Sequence, residues 1–430
     1  MSGGRESLWG EAPRVIISNG FKNFHMSSAA AEADRRGTLI ALFSGLYPKR
    51  WIRSILRFSR LDRLTKAGKL IGRGVEVNER RVQMFFVAEF LNHVGLLACR
   101  FRWTNDAGLK LAVFSMKKFA DSAAKWLRRS PSRFEIYHYR AGFGGPSLIA
   151  AQRRGAVLLC DHSIAHPLVL SSLVTEGGVL KELNDCVTIE PMWQLVLRDI
   201  EQATHVVVNS DFVKRTFEYI DFPLEKVSVI YLGVDDTFFR SIPPRRAARS
   251  GEPLRFLFAG SFGDRKGANV LLEAISRLPA AGWALFLAGT IEKHLESAVR
   301  QAELRFPVQH LGNLTREQLA QEMSRADVFV FPSLAEGSAR VVFEAMACGC
   351  YIITTPNAGS VVEDGVHGQI VPPGDANALA RSMAAVIDDC SVAVIGKSNA
   401  ALVSENFRQH SYGEKVAALY KSLTESQACK

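Results

Sequence analysis

The stretch Glu336-Gly-Ser-Ala-Arg-Val-Val-Phe-Glu344 places two carboxylates around a turn of small residues that leads into an apolar helix start. Before it, Ala326-Asp-Val-Phe-Val-Phe-Pro332-Ser333 is an apolar run ending in Pro-Ser, which indicates a buried parallel strand followed by a loop. The ligand of such a unit lies at the carboxyl end of the strand, against the helix N-terminus. We therefore expect Glu336 to face a ligand from the loop. Glu344, about two turns into the helix, should reach a second ligand group.

The sequence after Glu344 continues the same unit. Ala345-Met-Ala-Cys-Gly349 indicates a helix closed by a glycine, and Tyr351-Ile-Ile-Thr-Thr355 indicates a further buried strand. An isolated pair of acids would be explained by a helix-start acid that the helix dipole favours and by a solvated helix position. Inside a strand–loop–helix–strand unit, both acids instead occupy positions at which ligands bind.

The run from Phe331 to Gly349 closely resembles the signature of retaining glycosyltransferase family 4, whose members have the GT-B fold. The resemblance implies an α/β protein with two Rossmann-like domains facing a central cleft. By the same resemblance, Glu336 lies near the donor sugar and its phosphates, and Glu344 holds the ribose of the nucleotide. A carboxylate suits ribose because it accepts hydrogen bonds from two neighbouring hydroxyls. Gly337 and Ser338 then provide backbone amides beside the donor.

Length and cysteine content agree with a two-domain enzyme. A chain of 430 residues is long enough for two domains, each with its own core. The N-terminus has charges without a following apolar stretch, and no apolar run reaches the length of a membrane span, so neither a secretory signal nor a spanning helix is expected. Seven scattered cysteines indicate unpaired thiols in a reducing compartment. These features predict a cytoplasmic protein.

The net charge of +10 predicts an anionic partner. A nucleoside diphosphate, an anionic membrane surface and a nucleic acid all have the required charge. We do not expect nucleic acid to be the partner, because the sequence has no recognised nucleic-acid-binding module and no basic–aromatic repeat.

The N-terminal half begins as a Rossmann-type unit. The sequence predicts a strand from Pro13 to a glycine turn at Gly20, an alanine-rich helix that follows His25, and a second strand from Gly37 to Ser44. Gly20 either allows close approach of a phosphate or sugar or simply forms the turn. His25 is a further candidate for contact with the acceptor.

Residues 49–73 carry nine lysines and arginines interleaved with apolar residues, and Asp62 is their only acid. Ile52, Ile55 and Leu56 fall on one helical face. This pattern is typical of a basic amphipathic helix that lies on an anionic membrane, and it also fits a solvated cationic face over an ordinary core contact. The segment after it, from about Gln83 to Trp126, is predicted to be helical.

Two histidines follow another predicted strand, Gly155-Ala-Val-Leu-Leu-Cys-Asp161-His162, with His166 four residues later. Ligands of α/β domains bind at the carboxyl ends of strands, which favours a functional role over a structural one. His162 matches the family position whose imidazole approaches the donor sugar, and His166 is its less certain neighbour.

A Pro- and Arg-rich stretch marks the domain boundary. We predict an acceptor-binding domain at 1–240, a linker at 241–253, a donor-binding domain at 254–405 and a final helix at 406–430 that crosses back to the first domain.

The second domain opens with a strand that ends at Gly260 and the loop Ser261-Phe-Gly-Asp-Arg265-Lys266-Gly267. A glycine loop with two cations before a helix either binds a diphosphate or only caps the loop. Lys266 matches the family lysine. The family's arginine is replaced by Ser261 in this sequence, and whether Arg265 substitutes for it is left open at this point. By the resemblance, Gly312 lies where backbone groups meet the nucleobase, and Ser360 replaces a frequent glutamate.

The resemblance implies transfer of a sugar from a nucleoside diphosphate sugar to an acceptor hydroxyl, with retention at the anomeric carbon. Arg265, Lys266 and the amides after Glu336 are expected to stabilise the departing diphosphate, so no metal or other cofactor is expected. We expect the acceptor to be a glycan or a lipid-linked molecule, and the basic stretch favours envelope or exopolysaccharide assembly. Two alternatives remain open: a non-catalytic nucleotide-sugar-binding protein on the same fold, and a peripheral membrane scaffold that uses residues 49–73.

Overall fold

The computed structural model describes residues 12–21, 25–49, 54, 58, 77–99, 105–180, 189–245, 252–387 and 389–428. Most of the basic segment 49–73 and part of the linker 241–253 therefore lie outside the described residues. Within these ranges the chain forms two parallel sheets covered by helices on both faces.

The N-terminal sheet contains seven parallel strands among the described residues, in the order β3-β2-β1-β4-β5-β6-β7. Their bounds are β1 Val15–Ser18, β2 Leu39–Ser44, β3 Val82–Met84, β4 Ile136–Arg140, β5 Val157–His162, β6 His205–Val208 and β7 Val227–Val229. Side chains alternate between the two faces: Ile16 packs into the core on one face, and Val15 and Ile17 into that on the other. The order reverses its direction at β1, which gives a switch point at the carboxyl ends of β1 and β4.

The C-terminal sheet has six strands within the described ranges, in the order β10-β9-β8-β11-β12-β13. They are β8 Leu254–Ala259, β9 Trp283–Ala288, β10 Val308–Gly312, β11 Val328–Phe331, β12 Tyr351–Thr354 and β13 Gly368–Ile370. The central strands are predominantly apolar, as expected where helices cover both faces of a parallel sheet, and Phe256, Phe329 and Ile352 are fully buried.

The helices connect these strands and close the two cores. They are α1 Met26–Arg35, α2 Phe86–Ala98, α3 Asn105–Arg129, α4 Pro146–Gln152, α5 Pro167–Thr175, α6 Pro191–Glu201, α7 Asp211–Glu218, α8 Asp236–Ser241, α9 Ala268–Ile275, α10 Glu296–Arg305, α11 Arg316–Arg325, α12 Arg340–Ala347, α13 Ala376–Ala385, α14 Ser391–Asn406 and α15 Gln409–Ala428. None of the helices in the described part of the chain combines the length and the apolar character needed to cross a membrane.

Two sequence expectations about these elements were wrong in detail. The stretch from Gln83 to Trp126 is not helical throughout, because its first two residues belong to β3 and the helices α2 and α3 are separate elements. Glu344 is the fifth residue of α12, which begins at Arg340, so it lies just over one turn into the helix and not two.

The C-terminal helix α15 returns to the N-terminal domain. Three of its residues are buried in the core on the face of the N-terminal sheet that also buries Val15 and Ile17: Tyr412, Val416 and Tyr420. Gln409 Nε2 also donates to Ser28 Oγ of α1 at 2.6 Å. The N-terminal core is therefore completed by the last residues of the chain, which ties the two domains together.

Candidate functional site

The loop between β11 and α12 carries the first acidic residue at the carboxyl end of the sheet. Glu336 Oε1 lies 2.9 Å from Arg265 Nη1 and 2.9 Å from Lys266 Nζ. The three side chains are partly exposed, at 13% for Glu336, 39% for Arg265 and 18% for Lys266. The loop after β8 and the loop after β11 thus meet in one cluster that carries two cations and one carboxylate.

The two cations are positioned by the local backbone. Asp264–Lys266 forms one turn of 3-10 helix, and Gly267 follows with φ +73° before α9. A Cβ at Gly267 would collide with the Pro332 carbonyl oxygen, so the close contact between the two loops requires glycine. Lys266 Nζ lies 4.7 Å from the centre of the buried Phe331 ring, which holds the ammonium group at the strand end.

Arg265 takes part in this loop contact directly. Its Nη1 donates to the Ala335 carbonyl oxygen at 2.6 Å, in addition to the ion pair with Glu336. Ser261, which stands where the family has an arginine, lies with its Oγ 3.4 Å from Thr290 Oγ1. The guanidinium in this cluster therefore comes from Arg265.

The second acidic residue, Glu344, lies in a separate charged group. It is 5% exposed, and its Oε1 accepts from Arg316 Nη2 at 3.0 Å. Arg316 is the first residue of α11, whose N-terminus has a Thr315–Gln318 capping box. Burial raises the pKa of Glu344, while the neighbouring Arg316 and Arg340 counteract that rise.

Arg316 divides its interactions between two carboxylates. Its Nη2 also lies 2.5 Å from Oδ2 of Asp235, which is 3.3 Å from Arg340 Nη2. Asp235 caps the N-terminus of α8, because its Oδ1 accepts from the Phe238 amide at 2.8 Å. The predicted ribose carboxylate is thus linked through one arginine to the segment that follows the N-terminal sheet.

A cavity of about 270 Å³ lies at the carboxyl ends of β8 and β9. It is lined by Gly260, Lys266, Asn313 and Val341. The cavity therefore extends from the glycine loop after β8, which carries Lys266, to the start of α12. Gly312, at the end of β10 with φ +70°, is next to this lining, and its carbonyl oxygen accepts from the Gly289 amide at 2.8 Å. Glycines at these strand ends leave room for a planar ligand beside the backbone.

The N-terminal domain contacts the loop after Glu336. Ser210 Oγ, at the start of α7, donates to the Gly337 carbonyl oxygen. A Cβ at Gly337 would collide with the Ser163 carbonyl oxygen, which also accepts from Asn209 Nδ2 at 3.2 Å. Ser338 follows with a buried hydroxyl that has no hydrogen-bond partner among the residues that the structure describes. The loop is therefore fixed by both domains.

The two predicted histidines lie beside this contact. His162 ends β5, and His166 precedes α5 with its Nδ1 accepting from the Leu168 amide at 3.4 Å. Their ring centres are 6.4 Å apart, and both rings pack against Phe217. Burial lowers the pKa of His162 to about 4 and that of His166 to about 3, so both imidazoles are neutral at pH 7.

His25 belongs to a buried network that the sequence did not indicate. Its Nε2 lies 2.9 Å from Asp161 Oδ1, and His138 Nε2 lies 3.5 Å from Asp161 Oδ2. Tyr420 of α15 joins the network through a 2.7 Å hydrogen bond between its hydroxyl and His138 Nδ1. Burial by itself raises the pKa of Asp161, but the two rings outweigh burial and hold the pKa well below its ordinary value.

Gly20 has a packing role in the structure. Its φ is +73°, and a Cβ there would meet the Phe143 ring at 2.9 Å. Phe143 belongs to the glycine turn after β4, and that turn is held by Asp199, whose carboxylate accepts from the Gly142 and Gly144 amides at 2.7 Å each. Burial raises the pKa of Asp199 to about 6 against the effect of these amides. Gly20 thus lets two strand-end turns pack at the switch point.

Among the described residues, one group has the spacing of metal ligands: Asp264, Glu292 and His294, whose ligand atoms all lie within 4.8 Å of one another. The group is largely exposed, and His294 Nε2 lies 3.1 Å from Asp264 Oδ2. The five cysteines in the described ranges are free thiols.

Comparison with known proteins agrees with the geometry of the C-terminal domain. Residues 253–389 match the family model described as glycosyl transferases group 1. The putative colanic acid biosynthesis glycosyltransferase WcaL of Escherichia coli is 30% identical over 215 residues, which cover 47% of this chain and 52% of the relative. The amylovoran biosynthesis glycosyltransferase AmsK of Erwinia amylovora is 28% identical over 214 residues, again 47% and 52%. The chain spans about half the length of the relatives that it matches.

Solved structures match the whole described architecture. Sucrose-phosphate synthase of Thermosynechococcus elongatus superposes with a TM-score of 0.64 at 19% identity, covering 96% of this chain and 100% of that one. HepE of Anabaena, solved with UDP, superposes with a TM-score of 0.60 at 16% identity, covering 95% and 100%. The two-domain fold predicted from the signature is confirmed: both sheets belong to a GT-B architecture.

Proposed function

We propose that the protein transfers a sugar from a nucleoside diphosphate sugar to an acceptor hydroxyl, because residues 253–389 match the family model described as glycosyl transferases group 1 and the chain has the GT-B fold. The proposal assigns donor binding to residues 254–405 and acceptor binding to residues 1–240. The transfer proceeds with retention at the anomeric carbon.

The observation that carries this proposal is the cluster of Arg265, Lys266 and Glu336. The two cations pair with a carboxylate, and both are partly exposed near the cavity at Gly260. A diphosphate brings two negative groups of the kind that such cations bind, and at 4 Å an ion pair gains about 4 kcal/mol at intermediate dielectric before desolvation is subtracted. The diphosphate therefore lies against Lys266 and Arg265, with its sugar toward Glu336.

Charge development favours the same arrangement during the reaction. When the bond between the anomeric carbon and the phosphate oxygen breaks, its electron pair stays on the diphosphate, and the positive charges of Arg265 and Lys266 stabilise it. The acceptor oxygen attacks the same face of the oxocarbenium-like sugar, and its proton passes to the departing phosphate oxygen. No protein nucleophile and no metal takes part in this scheme.

The ribose is assigned to Glu344. Arg316 favours the ionised form of this buried carboxylate, and an ionised carboxylate accepts hydrogen bonds from two adjacent hydroxyls. Gly312 and Asn313 then lie beside the nucleobase, and the amides of Gly337 and Ser338 lie beside the diphosphate. His162 faces the sugar from the N-terminal domain as a neutral hydrogen-bonding group.

The acceptor is assigned by analogy with the relatives. WcaL and AmsK are named for colanic acid and amylovoran biosynthesis, and both are exopolysaccharide pathways. We place this protein in envelope or exopolysaccharide assembly, with a glycan or lipid-linked acceptor, in the cytoplasm and at the inner face of the membrane. Residues 49–73 supply the electrostatic attraction to anionic lipid, so binding to anionic vesicles weakens as salt rises.

The direct test is nucleotide release from UDP-, GDP- and ADP-sugars without acceptor, using the wild type and Glu336→Ala. If the wild type slowly releases nucleotide from one donor and Glu336→Ala does not, the protein is a transferase and that donor is its substrate. If no donor is hydrolysed but one of them raises the melting temperature, the protein is a nucleotide-sugar-binding protein instead. Vesicle binding with neither response would favour the membrane scaffold.

A further inference from the structure

Helix α2 has the reverse of the usual distribution of polar and apolar side chains. Its outward face carries Phe86, Phe90 and Leu97, which are 58%, 66% and 55% exposed. Its inward face carries Glu89 and Asn92, which are 1% and 8% exposed. A surface helix of a globular protein in water normally buries its apolar face and exposes its polar one. The outward face of α2 therefore fits an apolar environment.

The inward polar residues have a structural role that fixes this orientation. Glu89 Oε2 accepts from the Leu46 amide at 2.5 Å, so the helix is held by the turn that follows β2. At the other end, Gly95 of α2 packs against Gly108 of α3, and a Cβ at Gly95 would lie 2.7 Å from the Gly108 carbonyl oxygen. A one-residue rotation of α2 would break both contacts, so the apolar face cannot turn inward.

Helix α3 extends the surface and adds charge to it. Leu109 and Phe114 are 48% and 53% exposed, and Lys110, Lys117 and Lys118 are exposed on the same helix. Apolar side chains that project beside lysines are the composition of a surface that inserts into the boundary between lipid headgroups and acyl chains. The net charge of +10 adds attraction to an anionic surface.

The position of α2 also relates this surface to the cleft. The helix begins two residues after β3, and the Phe85 amide donates to the Ser44 carbonyl oxygen at the end of β2. In a parallel sheet all strands end at the same edge, and His162 ends β5 at that edge. The first turn of α2, with Phe86 and Val87, therefore lies on the cleft side of the N-terminal domain.

We propose that the outward face of α2, together with Leu109 and Phe114 of α3, inserts into the surface of a bilayer that contains anionic lipid. This surface is additional to the basic segment 49–73, which acts by charge. It deepens the proposed function, because a protein docked in this way receives a lipid-linked acceptor from the membrane. The inference about docking itself rests on exposure and packing, not on catalysis.

The test uses the full chain and vesicles of phosphatidylglycerol and phosphatidylcholine, without donor or acceptor. Phe86→Ser/Phe90→Ser removes two exposed rings, and Leu304→Ser/Val394→Ser removes two exposed apolar side chains of the C-terminal domain as a matched control. Leu304 and Val394 are 86% and 71% exposed, so both variants should keep the wild-type melting temperature. We expect the α2 variant to lose at least about tenfold in vesicle partitioning and the control to lose none.

The proposal would be overturned if the wild type did not bind vesicles or if the α2 variant bound them as tightly as the wild type. It would also be overturned if the control variant lost as much vesicle binding as the α2 variant. A lower melting temperature of the α2 variant would show that residues 50–76 or other protein cover the face. A change from dimer to monomer would show that a second copy covers it. Donor hydrolysis by the same α2 variant, measured without vesicles, should stay at the wild-type rate, so a failure of docking is distinguished from a failure of the transferase.

Discussion

The two sheets end in charged clusters of opposite character. At the C-terminal sheet, Arg265, Lys266 and Glu336 are partly exposed and pair with one another beside a cavity. At the N-terminal sheet, Asp161 is buried, and two imidazoles from β4 and the α1 N-terminus contact its carboxylate. The first cluster can exchange its partners for a ligand, whereas the second is closed by the protein itself.

This difference assigns different tasks to the two domains. A pair of partly exposed cations contributes to anion binding because water and a ligand can both reach it. A buried carboxylate with two partners stabilises the fold, because removal of a partner leaves an uncompensated charge. We therefore propose that the C-terminal domain recognises the charge of the donor. The N-terminal domain presents the neutral rings of His162 and His166.

The largest expected effect is on turnover in the C-terminal cluster. Lys266→Ala should lower the rate of sugar transfer by about a hundredfold or more, because one preorganised charge on the departing diphosphate is lost. The measurement is nucleotide release with the preferred donor. Lys397→Ala, at an exposed lysine on α14 of the same domain, should keep the wild-type rate. Equal losses in both variants would mean that Lys266 acts only through overall charge.

The N-terminal cluster should affect stability instead. Asp161→Ala removes the buried carboxylate that lies 2.9 Å from His25 Nε2 and 3.5 Å from His138 Nε2, and we expect a loss of about 2–3 kcal/mol in the free energy of unfolding. Chemical denaturation measures this loss, and nucleotide affinity of the folded variant should remain that of wild type. A stable Asp161→Ala protein with weakened nucleotide binding would contradict the division between the domains.

The pH dependence of nucleotide binding should sharpen the comparison further. Burial raises the pKa of Glu344 and Arg316 counteracts it, so Arg316→Ala should raise that pKa again. Since the protonated carboxyl no longer accepts from both ribose hydroxyls, the nucleotide affinity of the variant should fall as pH decreases. The midpoint of this fall in affinity should lie at a higher pH in the variant than in wild type. We expect about a tenfold difference at the acidic end, measured by calorimetry from pH 5 to 8.

The control for that titration is Arg325→Ala at the end of the same helix, where the arginine pairs with Glu322 at 2.6 Å on the surface. Its binding curve should follow wild type. A parallel shift in Arg325→Ala would mean that the charge of α11, and not the contact with Glu344, sets the midpoint.

The smallest effect is expected for His162. Because burial lowers its pKa to about 4, the ring stays neutral from pH 5 to 8, and wild-type turnover should show no inflection from this residue in that range. His162→Ala should reduce turnover yet leave nucleotide affinity within about twofold, since the proposed site puts only the sugar beside the ring. An inflection near pH 6 that the variant abolishes would require a protonated His162.

The sequence indicated the grouping of Arg265, Lys266 and Glu336 but not the network around Asp161, for a physical reason. The strand–loop–helix around Glu336 is continuous in sequence, and Lys266 precedes it in a glycine loop of the same kind, so local pattern reveals both parts. The partners of Asp161 lie 136 residues away at His25 and, through His138, near the end of the chain at Tyr420. Only the folded sheet and the returning α15 bring them together.

The reversed face of α2 was missed for a related reason. An apolar helix in a sequence predicts a buried helix, and periodicity alone does not say which side faces the core. Glu89 and Gly95 decide it through contacts with the turn after β2 and with Gly108 of α3. The pairing of Glu344 with Arg316 was missed as well, because the arginine lies in a different strand–helix unit.

The most direct test of the donor site in the C-terminal domain is to measure the affinities of a nucleoside, its monophosphate and its diphosphate. The proteins compared are wild type, Lys266→Ala and Glu344→Ala. The account predicts that Lys266→Ala weakens binding of the diphosphate alone by about tenfold or more, while Glu344→Ala weakens all three ligands by a similar factor. If Lys266→Ala weakens the nucleoside as much as the diphosphate, or if neither variant changes any affinity, the C-terminal cluster is not the site of the donor.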